Sequence, residues 1–118
     1  MPELPDLEVF KDNILGRLTS KKLVGPEVFN LQKVSAPQQF LLEKLTGRSL
    51  LGINRVGKEL LFDFGEGEII AVHLMLNGVI SIVNENAVPS IRFKTFSLRF
   101  EKEAVVFSDM GGLCKITY

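Results

Sequence analysis

The first apolar spacing along the chain is helical. In DLEVFKDNILGR (residues 6–17), Leu7, Phe10, Ile14 and Leu15 fall on one face, the recurrence of an amphipathic helix. Pro5 suits the first turn of that helix, where its missing N–H would have no intrahelical partner. Asp6 and Glu8 then stand at the helix end whose dipole favours negative charge. An irregular stretch follows, with short strands predicted at 22–24 and 29–34. Ser35-Ala36-Pro37 reads as a helix start, Gln38–Leu45 as a short helix and Gly47 as its stop.

From Ser49 onward the texture changes. SLLGINRV, KELLFDF, EIIAVHLML, GVISIV, FKTFSLRFE and AVVFSD read as successive short strands, and KITY at the end is strand-like too. Gly57, Gly65-Glu66-Gly67, Asn77-Gly78 and the stretch 84–90 separate them. These connections are too short for crossover helices, so the pairing is predicted to be mostly antiparallel. The expected fold is α+β: a mostly antiparallel β-sandwich with an N-terminal helix and a second short helix. The length of 118 residues, 46% of them hydrophobic, suits one domain over 1–118 with one core.

Charge narrows the function classes. Fourteen basic and fourteen acidic side chains give a formal net charge of zero. That balance argues against strong stand-alone nucleic-acid binding, while leaving room for a local basic face. Cys114 is the single cysteine, so there is no internal disulfide and no Cys/His cluster for zinc; it reads as a small buried hydrophobe. The acidic start lacks a secretory signal, and no run reaches the roughly 18 apolar residues of a membrane span. A reducing, intracellular setting is expected.

The opening MPELP carries the candidate chemistry. If Met1 is removed, Pro2 becomes a terminal secondary amine, and α-amino groups titrate at about 7.7–8.0. Such an amine is partly neutral at working pH and can attack an aldehyde carbon to give an iminium ion. Glu3, beside it, can move protons. The plainer alternative is that Pro5 and the acids start a helix and Pro2 is an ordinary second residue. Lys58, in GKE, reads either as a solvated lysine at a strand start or as a phosphate contact. His73, inside IIAVHLML, reads either as a hydrogen-bonded core histidine or as a contact residue.

The order MPELPDLE … GRSLLGINRVGKELLF … HLMLNG … FSDMGG resembles the N-terminal domain of the formamidopyrimidine-DNA glycosylase / endonuclease VIII family over nearly all 118 residues. The resemblance implies a β-sandwich flanked by helices and a base-excision-repair enzyme. Such enzymes remove oxidised bases and then cut the strand by β,δ-elimination. It implies that Pro2 is the nucleophile at C1′ of the damaged nucleotide, Glu3 the general acid/base and Lys58 a catalytic-site cation on DNA phosphate. It sets Lys58, His73, Leu76 and Asn77 against DNA, with Asp6 close to the site. Damaged DNA is the implied partner, with no membrane and no small-molecule cofactor. The family's helix–two-turn–helix and zinc-finger parts are absent from these residues, so any zinc would belong beyond Tyr118.

Two motifs depart from the family pattern. Its His-Leu-Gly-Met-Ser-Gly reads His73-Leu74-Met75-Leu76-Asn77-Gly78 here, so Met75 replaces a glycine and Leu76 a methionine wedge. Its Asp-Pro-Arg-Arg-Phe-Gly reads Asp109-Met110-Gly111-Gly112-Leu113-Cys114, so both arginines have become glycine. Loss of the residues that face the orphaned base and grip phosphate predicts weaker duplex binding and altered substrates, such as single-stranded or bubble DNA. Two other functions stand beside the glycosylase reading. One is a relative that binds damaged DNA with little or no activity. The other is an enzyme using terminal proline as a general base, which shares only Pro2.

Overall fold

A computed structural model of the chain describes residues 4–75, 78–112 and 114–118, with the backbone alone at residues 4–6. Helix α1 spans Leu4–Leu18 and places Pro5 in its first turn. Its predicted apolar face is the buried one: Leu7, Ile14 and Leu18 enter the core, and Phe10 and Leu15 pack against it. Strand β1 (Leu23–Val28) and helix α2 (Gln38–Leu45) follow. Then come β2 (Gly52–Val56), β3 (Glu59–Asp63), β4 (Ile69–His73), β5 (Val79–Asn84), β6 (Lys94–Phe100), β7 (Glu103–Ser108) and β8 (Lys115–Thr117).

The strands form two four-stranded antiparallel sheets, ordered β1-β6-β7-β5 and β2-β3-β4-β8. The α+β sandwich expected from the pattern is therefore the fold. Phe62 of β3 meets Phe107 of β7 edge-to-face across the two sheets, with centroids 5.6 Å apart, and Phe96 stacks on Phe107 at 6.1 Å. The run AVVF in β7 is buried throughout because both its faces are covered. The outer face meets Val88, which lies in a 3₁₀ turn over Glu85–Ser90.

The strand expected at 29–34 is not formed. β1 ends at Val28, and Leu31–Lys33 make a 3₁₀ turn. Its start is capped by Asn30, whose side-chain oxygen accepts from the Gln32 N–H at 3.2 Å. The predicted strand at 22–24 is the beginning of the longer β1, and the stretch 84–90, expected as a loop, holds the second 3₁₀ turn. Edge strand β1 is closed by Gln38 of α2. Its Oε1 accepts from Val28 N–H at 2.6 Å, and its Nε2 donates to Pro26 O at 2.8 Å.

Candidate active site

Strand pairing brings the two described members of the predicted site, Lys58 and His73, to one end of the sandwich. Lys58 is exposed in the two-residue turn between β2 and β3, where Val56 faces Glu59. Gly57 has φ +61, the left-handed conformation a tight hairpin of this type places at its first central residue. Glu59 pairs with His73, and His73 pairs with Lys115 at the start of β8. Lys58, His73 and Lys115 therefore share one sheet end.

The first two turns of α1 are tied to that same end. Glu8 accepts from Arg55 Nε at 2.5 Å and pairs with Lys11 Nζ at 3.0 Å. Arg55 also donates from Nη1 to Gly57 O at 3.0 Å, bracing the turn that carries Lys58. One guanidinium thus joins the helix that begins just after Pro2 and Glu3 to the lysine hairpin. The hydrogen bond from Arg55, then that from Lys11, holds the Glu8 carboxyl below its usual 4.5. A depressed carboxylate stabilises the fold above its unfolded pKa and loses that contribution as pH falls through the folded one. The thermal midpoints of Glu8→Gln and the native chain should therefore differ most above about pH 4.5 and converge in stronger acid.

His73 is half-buried, and its Nδ1 accepts from the Met75 N–H at 3.2 Å. In the neutral ring the remaining proton is then on Nε2, a donor suited to a phosphate oxygen. The hydrogen-bonded reading of His73 is met at Nδ1. Strand β4 stops at His73 because Met75 takes φ +59. The family pattern has glycine at this position, and methionine holds this left-handed backbone under strain. Met75→Gly should raise stability by about 0.5–1 kcal/mol, the strain relief less the added chain entropy, seen as a higher denaturation midpoint. At Gly78 an added Cβ would lie 2.1 Å from the Leu74 carbonyl oxygen, too close for any side chain at that position.

The loop from β7 to β8 ends at the same place. Asp109, 4% exposed, accepts from Gly111 N–H at 2.8 Å and from Cys114 N–H at 2.7 Å. Its own N–H donates to Phe93 O at 3.0 Å, and its carbonyl accepts from Gly112 N–H at 3.0 Å. Cys114 is fully buried, as expected, and burial first, then the Asp109 charge, pushes its thiol up to about 12. Among the described residues, no three His, Cys, Asp or Glu side chains cluster to hold a metal ion, and no helix is long and apolar enough to cross a membrane.

Of the predicted site residues, Lys58 and His73 are brought to one end. Pro2, Glu3, Leu76 and Asn77 lie outside the described residues, as does the side chain of Asp6. The pattern missed Arg55, although one signal was present: it follows Ile53 by two in a strand and so falls on the face of a buried residue.

A family model, the formamidopyrimidine-DNA glycosylase N-terminal domain, matches residues 1–115. The chain belongs to the formamidopyrimidine-DNA glycosylase family. It is 31% identical over 110 residues to the glycosylase of Lactococcus lactis subsp. lactis, covering 93% of this chain and 40% of the relative. It is 38% identical over 82 residues to that of Methylococcus capsulatus, covering 70% and 30%. The chain thus spans about two fifths or less of the glycosylases it matches. Two solved structures share the fold, each with a TM-score of 0.89 and 98% of this chain covered. One is Lactococcus lactis Fpg with DNA containing an abasic site, at 22% identity over 43% of its chain. The other is the same glycosylase with DNA containing Fapy-dG, at 23% identity over 43% of its chain. The span matched to the family model includes all six predicted site positions.

Proposed function

We propose that this chain carries the amine chemistry of a bifunctional DNA glycosylase/AP lyase acting on oxidised bases. Pro2, freed of Met1, attacks C1′ of the damaged nucleotide with its lone pair. The base leaves with the bonding pair and takes up a proton, and the nitrogen loses its own. Glu3 relays protons, in concert with opening of the sugar ring to the iminium. Loss of a C2′ proton then feeds electrons into the iminium and expels the 3′ phosphate; a second elimination expels the 5′ phosphate. Lys58 and the Nε2–H of His73 bind the flanking phosphates.

The observation that carries this reading is the Glu8–Arg55–Gly57 clasp. It ties the helix that follows Pro2 and Glu3 in the sequence to the hairpin that carries Lys58, which supports a shared site for the amine and the lysine. The glycines at 111 and 112 favour the second reading, a relative that binds damaged DNA with reduced turnover.

The test is covalent trapping. Protein shown by mass to lack Met1 is mixed with duplex DNA bearing an abasic site, and borohydride is added. A reduced protein–DNA adduct is expected. Its absence, with DNA binding intact, would leave only the binding relative.

A further inference from the structure

The same end of the sandwich carries a groove of about 620 Å³ outside the residues assigned above, lined by Val79, Arg92, Phe93 and Met110 together with the Asp109 loop. Strand register explains its position. Val79 and Lys94 both pair with Ser108, so the turn before β5, the segment before β6 and the loop after β7 meet there. The groove therefore opens at the sandwich end where β4 finishes at His73 and β8 starts at Lys115.

Its lining is unusual for a surface. Phe93 is 49% exposed, Met110 76% and Val79 48%, a cluster of apolar side chains left in water. Phe93 also has φ +59, an outlier for a bulky residue, fixed by the Asp109 N–H on its carbonyl. Strain of this kind persists only where surrounding structure enforces it, and it gathers at binding sites. The Arg92 guanidinium lies 5.2 Å from the centre of the Phe93 ring. An aromatic platform, a flexible thioether and a cation together fit one chemistry well: a planar base flanked by phosphate.

We propose that this groove receives one unpaired nucleobase of DNA, stacked on Phe93, with an adjoining phosphate at Arg92. The inference rests on the DNA-repair reading above and deepens it, making the preferred substrate one with an unpaired base near the lesion.

The experiment compares fluorescence anisotropy on two labelled duplexes, one fully paired and one with a single bulged adenine, using the native chain, Phe93→Asn and Met110→Ala. Asn tolerates the left-handed backbone, so that variant keeps the fold. The native chain is expected to prefer the bulged duplex by about fivefold or more, the low end for base–aromatic stacking. In Phe93→Asn the ratio should fall towards one, and Met110→Ala should lower it. Equal affinities in the native chain, with covalent trapping of abasic DNA intact, would overturn this inference and leave the enzymatic reading standing. No trapping and no DNA binding would overturn both. A ratio unchanged by Phe93→Asn, with a dimer in gel filtration converted to monomer, would make the patch a contact between two copies and overturn the inference.

Discussion

A single residue added ahead of Pro2 is expected to abolish covalent trapping. The addition turns the proline nitrogen from a secondary amine into a tertiary amide, whose lone pair is delocalised into the carbonyl and cannot attack C1′. N-acetylation should do the same without lengthening the chain appreciably. Neither change removes a side chain from the core, so binding to abasic duplex should persist while the adduct is lost. Glu3→Gln separates proton transfer from nucleophilicity. It keeps the amine, so an abasic site should still be trapped, but excision of an intact oxidised base should slow by about 10²–10⁴-fold, the usual range for a positioned acid or base. Equal excision by Glu3→Gln and the native protein would remove Glu3 from the chemistry.

The second large effect belongs to Asp109. Its carboxylate accepts from the N–H groups of Gly111 and Cys114, and Cys114 is fully buried. Asp109→Ala leaves both donors without their acceptor, one of them in the core. Hydrogen bonds to charged groups contribute about 1.5–3 kcal/mol each, so a loss of about 3 kcal/mol or more is expected, a large part of the 5–15 kcal/mol of a typical domain. Urea unfolding followed by circular dichroism should show a lower midpoint with an unchanged slope. Asp109→Asn, which keeps one acceptor oxygen, should lose roughly half as much. A loss below about 1 kcal/mol in Asp109→Ala would mean that the loop is held by other contacts.

Asp109 and Met75 mark where the chain keeps the family motifs and where it departs from them. Asp109 stands where the family pattern has aspartate, and here its carboxylate fixes the loop's backbone. The arginines of the family pattern are glycines here, so the loop that Asp109 holds carries no cationic side chain at 111 and 112. Met75 is the converse case, a side chain placed on a backbone conformation that glycine adopts freely.

What could be read from the chain follows the range of each signal. Helix α1 was legible because four apolar residues repeat at helical spacing and a proline and two acids mark its start. The sandwich was legible because short strands alternate with glycine-bearing breaks. The 3₁₀ turn at Leu31–Lys33 was not, because a side-chain cap from Asn30 competes with strand pairing and leaves no period in the sequence. The clasp between Glu8 and Arg55 joins positions 47 residues apart, and pattern within a window carries no such information. Phe93 reads as the first residue of a strand; only the bulge between Lys94 and Phe96 and the hydrogen bond from Asp109 show it turned outward. Lys58 stands out in the sequence only through its motif, and the Glu59–His73 register is what puts its hairpin at the same sheet end as His73.

The central claim is that the Pro2 nitrogen, and no lysine, forms the bond to DNA. The most direct measurement is peptide mapping of the borohydride-trapped adduct after nuclease and trypsin digestion. The sugar remnant is expected on the peptide running from Pro2 to Lys11, attached at Pro2. A remnant on Lys58 or any other lysine, with Pro2 unmodified, would contradict it.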